Sequence, residues 1–233
     1  MESVLRSTPT KTSYSGLMEC AAKGLHAFVF NRFKKHLRER ANILDLGSGD
    51  GAFAKRLTDA GYNVTACDIE PRAGRPFPYV PVNLNSEFSE AFHGKTYDAI
   101  SFVEVIEHLE NPRLCFREIA KLVKPNGVVL LTTPNASGLY SRLRFFFTGQ
   151  MAMFTDVAYS VGPGHITPLT VWQLEKVFME TGFSVLERTF HDAPFFPPKA
   201  LGDVAKVFAW IVCRPFMFGV VGGQNVIYVL RRS

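Results

Sequence analysis

The segment Ile43-Leu44-Asp45-Leu46-Gly47-Ser48-Gly49-Asp50-Gly51 constrains this chain more than any other. A short apolar run enters a glycine-rich turn and continues into a helical stretch, Gly51 to Ala60. Gly47 and Gly49 let backbone N–H groups approach a ligand without interference from a Cβ, and the start of the following helix carries partial positive charge. A second apolar run, Val64 to Asp68, ends in a carboxylate 21 residues after Gly47. An acid there can accept hydrogen bonds from both hydroxyls of a ribose, the logic of nucleoside recognition at the switch point of an open α/β sheet.

The turn also satisfies G-x-G-x-x-[GA], the dinucleotide pattern. Asp45, two residues before Gly47, separates the cases, because a carboxylate beside the turn repels a pyrophosphate and suits a cationic amino-acid group such as the ammonium of S-adenosylmethionine. An NAD(P)-dependent oxidoreductase stands as the second reading, and a non-catalytic cofactor-binding regulatory module as the third.

Around this turn, short apolar runs alternate with helical stretches, which implies a parallel sheet with helices on both faces. Leu17 to Leu37 reads as a first helix, and strands are expected at Asn42–Leu46, Val64–Asp68, Tyr79–Asn83, Ala99–Val103 and Val128–Thr132. Asn111 and Pro112 look like the N-cap and first position of a helix reaching about Val123, ended by Pro125, Asn126 and Gly127. A helix over Leu169–Thr181 and strands over Ser184–Phe190 and Val226–Leu230 complete the pattern. The expected architecture is a single α/β domain over residues 1–233 with a Rossmann-like, seven-stranded, mostly parallel sheet. Residues 1–40 form an N-terminal helical lid, 41–135 the cofactor-binding half, 136–169 an acceptor-side insertion after the fifth strand, and 170–233 the rest of the sheet. An apolar helix precedes the last strand.

At 233 residues, with 47% apolar and 20% charged side chains, the chain has the makings of one large globular core. Its net charge of +5 is mild, and the basic run Arg32, Lys34, Lys35, Arg38 and Arg40 reads as the solvated side of an amphipathic helix, so nucleic acid is not an expected partner. Four cysteines form no CxxC pair, which suits reduced thiols. No window supplies the apolar length of a membrane span, and Met1 to Lys11 lacks the apolar core of a secretory signal, so a cytoplasmic location is expected. The 21 phenylalanines hint at an apolar pocket or surface. Leu201, Val204, Ala205, Phe208, Ile211 and Val212 have the spacing of a helical apolar face. Such a face is expected to pack on its own domain; if part of it is exposed, Phe195, Phe196 and Trp210, with Lys199 and Lys206 beside them, suit peripheral contact with a membrane or with a lipid-linked acceptor.

The order of motifs over residues 41–190 resembles the class I S-adenosylmethionine-dependent methyltransferases. It runs D-L-G-S-G-D-G, V-T-A-C-D-I-E, Y-D-A-I-S-F-V-E-V-I-E-H-L and L-V-K-P-N-G-V-V-L-L-T-T-P-N. The E-V-I-E-H-L element, the T-P-N strand end and G-H-I-T-P-L-T are similar to the branch that contains the ubiquinone-biosynthesis O-methyltransferases. The resemblance implies S-adenosyl-L-methionine as cofactor and O-methylation of a small or lipid-linked acceptor. Gly47 and Gly49, with Ser48 between them, would line the methionine and ribose end, with Asp45 behind the amino group. Asp68 would hold the ribose, Ile69 would lie against adenine, and Val103 and Glu104 would sit near the methionine. Asn83 falls where the family more often has an acid facing the adenine amino group, and its amide oxygen can still accept that hydrogen bond.

Glu104, Glu107 and His108 are spaced i, i+3, i+4 and share one side if the segment is helical. His165 lies in Gly164-His165-Ile166-Thr167-Pro168, a loop expected to return over the same sheet edge. With the resemblance, His108 and His165 are the candidate catalytic residues, since neutral imidazole can take a proton from a hydroxyl acceptor near pH 7. Glu104, Glu107, His108 and His165 also resemble the E-x-x-E-H and distant His that bind a divalent ion in small-RNA 3′-terminal 2′-O-methyltransferases, where a metal would acidify the acceptor hydroxyl. A metal is not the expected arrangement here.

Overall fold

The computed structural model describes residues 12–70, 74, 76–156, 164–191 and 222–233. The expected apolar helical face over 201–212, with Phe195 and Phe196, lies outside the described residues. The described chain begins with a small hairpin, β1 (Ser13–Tyr14) and β2 (Leu17–Met18), followed by α1 (Leu25–Phe33), β3 (Asn42–Leu46), α2 (Ala52–Asp59), β4 (Asn63–Asp68) and β5 (Tyr79–Pro81). Then come β6 (Tyr97–Val103), α3 (Pro112–Leu122), β7 (Val123–Pro134), α4 (Leu139–Thr148), α5 (Val171–Glu180), β8 (Phe183–His191) and β9 (Asn225–Arg232). Seven strands form one sheet in the order β5-β4-β3-β6-β7-β9-β8, with β9 antiparallel to both its neighbours and the remaining pairs parallel. This is the expected Rossmann-like sheet. Its order reverses at β3 and β6, so the crevice beyond their C-terminal ends receives the glycine-rich turn and the E-V-I-E-H-L segment together.

The central strands are apolar on both faces because both faces are covered. Leu44, Leu46, Ile100 and Phe102 pack with Phe116 of α3 and Phe178 of α5 on one side, while Ile43 and Ala99 pack with Leu25, Val29 and Phe33 of α1 and Phe53 and Leu57 of α2 on the other. The two-residue period puts Asp45 and Ser101 on that second face, directly opposite each other in the β3–β6 register. Local signals hold where the chain supplies a cap. Asn111 Oδ1 accepts from the Leu114 N–H at 3.0 Å with Pro112 in the first turn of α3, and Thr170 and Gln173 form a capping box at α5.

Two elements differ from expectation. Residues 17–24 are not helical, since Leu17–Met18 pairs with Ser13–Tyr14 and Gly24, at φ +79°, stands outside helical geometry immediately before α1. The fifth strand starts earlier than Val128. Tyr97 pairs with Val123 and Ala99 with Val128, so Lys124–Gly127 bulges out, with Asn126 at φ +60° taking the turn.

Candidate active site

The cofactor turn is built by backbone conformation that only glycine takes at low cost. Gly47, Gly49 and Gly51 have φ of +69°, +51° and +82°. A Cβ on Gly47 would stand 2.5 Å from Val105 Cγ2, so the turn lies flush against the first residues after β6. The Ser48 N–H donates to the Cys67 carbonyl at 2.9 Å, and Asp68 Oδ2 accepts from the Gly49 N–H at 2.7 Å. Gly47 and Asp68 thus meet across one crevice, as the motif spacing requires. Asp68 Oδ1 takes the Ile69 N–H at 2.8 Å, so the carboxylate is fixed by backbone donors while it faces the crevice mouth. Ile69 beside it is 64% exposed, a bare apolar surface next to an acid.

Asp45 is 2% exposed, so it works from beneath the turn. Its Oδ1 accepts from the Ser101 hydroxyl at 2.6 Å, and burial pushes its carboxyl up to about 7, with the Ser101 bond opposing. Asp45 Oδ2 and Ser48 Oγ are buried without a hydrogen-bond partner. Orphaned oxygens around a glycine cradle, an acid at the next strand end and an exposed isoleucine fit an adenosyl cofactor that brings its own ammonium and ribose hydroxyls. Asn83 is exposed and its Oδ1 accepts from the Asn85 N–H at 3.0 Å, which fixes the side chain at the same rim after β5. Val103 is the last residue of β6, half-buried at the crevice floor.

The N-terminal hairpin closes one side of this turn. Met18 N–H donates to Asp50 Oδ2 at 3.2 Å, Arg56 of α2 binds Glu19 at 2.9 Å, and the Arg56 guanidinium stacks over Tyr14. Cys20 Sγ lies 3.5 Å from where a Gly49 Cβ would be. His26 is buried behind it, with burial lowering its pKa to about 4.

The acceptor edge follows β6. Glu104 has φ +55°, unusual for a non-glycine residue. Its N–H donates to the Thr132 hydroxyl, that hydroxyl donates to Glu104 Oε1 at 2.7 Å, and Asn225 Nδ2 donates to Oε2 at 2.7 Å. Burial raises the Glu104 carboxyl to about 7. A short 3-10 helix, Ile106–His108, then turns Glu107 inward. Glu107 is 0% exposed; its Oε2 accepts from the Thr133 hydroxyl at 3.0 Å, and Oε1 has no partner. Burial, with the nearby Glu104 carboxylate, drives its pKa well up. The loop after residue 163 is tied to this helix by the Ile166 and Thr167 N–H groups, which donate to the Glu107 carbonyl at 2.9 and 3.0 Å.

That tie delivers His165 to His108, with ring centroids 4.7 Å apart at 71°. His108 Nδ1 lies 2.6 Å from the Gly164 carbonyl oxygen and His165 Nδ1 lies 2.8 Å from that of Met153. A carbonyl only accepts, so each Nδ1 carries a hydrogen, and Nε2 is the nitrogen through which either ring can exchange a proton. Burial, with His108 adjacent, lowers the His165 pKa, which favours the neutral ring. Phe154 packs 5.6 Å from His165. Of the four candidate side chains, Glu107, His108 and His165 converge, while Glu104 is taken up by Thr132 and Asn225. The i, i+4 expectation fails for Glu104 because its positive φ breaks the helix before it starts. Asn225, Thr132, Thr133 and Val105 complete the site without a sequence signal of their own, although T-T-P-N does mark a strand end.

The glycine turn after β3 and the acid-ended β4 sit on the sheet of a methyltransferase domain. The chain belongs to the methyltransferase domain family, whose model matches residues 18–188. It is 32% identical over 117 residues to a ubiquinone biosynthesis O-methyltransferase of Rickettsia bellii, covering 46% of this chain and 49% of that protein. A namesake from Photobacterium profundum is 35% identical over 104 residues, or 40% and 43% of the two chains. The chain therefore spans about half the length of the curated relatives it matches. Among solved structures, an S-adenosylmethionine-dependent methyltransferase from Archaeoglobus fulgidus superimposes with a TM-score of 0.64 at 16% identity, over 89% of this chain and 94% of that one. A magnesium protoporphyrin IX methyltransferase from Synechocystis with bound SAH gives 0.54 at 15% identity, over 90% and 80%. These matches favour methyl transfer over the oxidoreductase reading of the glycine pattern. No described helix is long and apolar enough to cross a membrane.

Proposed function

We propose that this protein methylates a hydroxyl oxygen on a small acceptor bound between the end of β6 and the 164–168 loop, with His108 and His165 activating that hydroxyl. The observation that carries the reading is the pair of imidazoles with Nδ1–H anchored on the Gly164 and Met153 carbonyls and both Nε2 atoms left as bases. When bound, S-adenosylmethionine supplies a methyl group already activated by its sulfonium. The residues of this chain then have two tasks. Asp68, Ile69 and the Gly47–Gly49 turn hold the adenosine end, and the buried Asp45 carboxyl lies beneath the amino-acid end. The histidine pair withdraws the acceptor proton as oxygen becomes nucleophilic, an effect of about 10²–10⁴-fold for a positioned base. Alignment of the acceptor supplies more, up to roughly 7–11 kcal/mol in favourable intramolecular models.

Phe145, Phe146 and Phe147 of α4 are exposed, Phe146 by 77%, with Arg142 on the same helix. They belong to the insertion that reaches His165 through Met153 and Phe154, and they favour an acceptor whose hydroxyl-bearing head carries an apolar tail. The test is formation of S-adenosylhomocysteine with a series of phenols of increasing alkyl length. Turnover rising with tail length supports the reading; turnover with amines and none with any hydroxyl compound overturns it.

A further inference from the structure

The N-terminal hairpin consists of two strands of two residues each, joined at Ser15 and Gly16, both at positive φ. It takes no part in the seven-stranded sheet. A lone ribbon of this length is not stable in water, so contacts with the rest of the domain must keep it in place. Those contacts are made by α2. Arg56 Nη2 donates to Glu19 Oε1 at 2.9 Å, the Arg56 Cζ lies 4.1 Å from the centre of the Tyr14 ring, and the Tyr14 hydroxyl donates to Asp59 Oδ2 at 3.2 Å. The Arg56 and Glu19 side chains are only 18% and 7% exposed, which shields their ion pair from the solvent that weakens surface pairs. Arg56 Nε is nevertheless buried without an acceptor. Parting the clasp returns that donor to water, which offsets some of what the ion pair holds.

The far end of the hairpin rests on the glycine turn. The Met18 N–H donates to Asp50 Oδ2 at 3.2 Å, and Cys20 Sγ lies 3.5 Å from where a Gly49 Cβ would be. The Gly49 N–H itself is held by Asp68. A ligand seated on Asp68 and the Gly47–Gly49 turn therefore has residues 18–20 along its edge. We infer that residues 12–20 are a gate on the cofactor site and that Arg56 is the positioning residue that holds the gate shut. The inference rests on the cofactor placement proposed above. Arg56 reaches the cofactor only through the hairpin, by pairing with Glu19 and stacking on Tyr14. The cofactor passes when those two contacts part, so entry and exit are both scaled by the fraction of time the hairpin stands open. Weakening the clasp should raise both rates together and leave the equilibrium between them nearly unchanged.

Surface plasmon resonance with S-adenosylhomocysteine over immobilised full-length protein reads the two rates separately. Arg56→Gln removes the ion pair and the stack at once, and should speed association and dissociation alike by roughly 10-fold, the equivalent of one charge-assisted hydrogen bond. The dissociation constant should stay within a few-fold of wild type. Tyr14→Ala alters the hairpin alone and leaves α2 intact, so it answers the question even if Arg56→Gln fails to fold. Loss of the cation–π contact should raise both of its rates about 2–5-fold. A rise in dissociation with unchanged association would make the hairpin a wall of the site and overturn the gate, as would wild-type rates in both variants. Wild-type protein that binds no S-adenosylhomocysteine would overturn the cofactor placement, and the gate with it.

Discussion

Gly47→Ala should damage the protein through two separable effects. The first is backbone conformation, since φ +69° costs an L-residue about 1–2 kcal/mol. The second is steric: the new Cβ would lie 2.5 Å and 2.8 Å from the two γ-carbons of Val105 and 3.2 Å from its β-carbon. Val105 is buried and belongs to the segment that turns Glu107 inward, so it has little freedom to retreat, and overpacking of this kind costs about 1–3 kcal/mol. The sum is roughly 2–5 kcal/mol of folding stability. A double-mutant cycle with Val105→Ala separates the parts, because shortening Val105 removes the clash and leaves the backbone penalty. The coupling energy should therefore be about 1–3 kcal/mol, with the second substitution costing less in the Gly47→Ala background. Urea unfolding of the four proteins measures stability, and calorimetry with S-adenosylhomocysteine reports whether the rescued turn binds again. Additivity within about 0.5 kcal/mol would show that the turn does not rest on Val105. A fully stable Gly47→Ala single variant would refute the conformation of the turn itself.

Asp68→Ala should weaken S-adenosylhomocysteine binding by about 1.5–3 kcal/mol, or 10-fold or more, in a protein that still folds, because it removes charge-assisted acceptors from both the ribose and the Gly49 N–H; unchanged affinity by calorimetry would move the ribose site. His165→Ala should lower turnover by at least ~10²-fold with cofactor affinity within a few-fold, and stopped assays with saturating cofactor measure it. Asp45, whose folded pKa is raised to about 7 by burial, binds its proton more tightly folded than unfolded. Its contribution to stability is complete below the ordinary carboxylate value near 3.8 and lost as pH rises through about 7. Asp45→Asn should remove this part of the decline in urea midpoint between about pH 5 and pH 8; the Glu104 carboxyl, also raised to about 7, gives a slope of the same sign that persists in the variant. An identical slope in wild type and Asp45→Asn would contradict the burial of Asp45.

The cofactor half was legible because its chemistry is written in contiguous residues. D-L-G-S-G-D-G encodes a strand end, positive-φ positions and a helix start in one stretch, and the two-residue period of β3 and β6 makes a sheet buried on both faces the only outlet for its apolar residues. Asp68 could be placed by counting, since βαβ units have a narrow range of length. Segments without such a local code were misread or silent. Apolar residues at 17 and 18 look like the start of a helix until tertiary contacts from Asp50 and Arg56 fix the chain over the turn as a hairpin. The acceptor edge is where sequence and structure divide most clearly. Spacing linked Glu104, Glu107 and His108, and the family resemblance added His165, yet only the fold could tell that Glu104 turns away to Thr132 and Asn225 while His165, 57 positions beyond His108, comes to rest against it. Sequence determined which elements form and where the cofactor turn lies, because those depend on neighbours along the chain. Tertiary structure decided which side chains share the acceptor site and which nitrogen of each histidine is free, because those depend on backbone carbonyls at Gly164 and Met153 that no spacing rule connects to them.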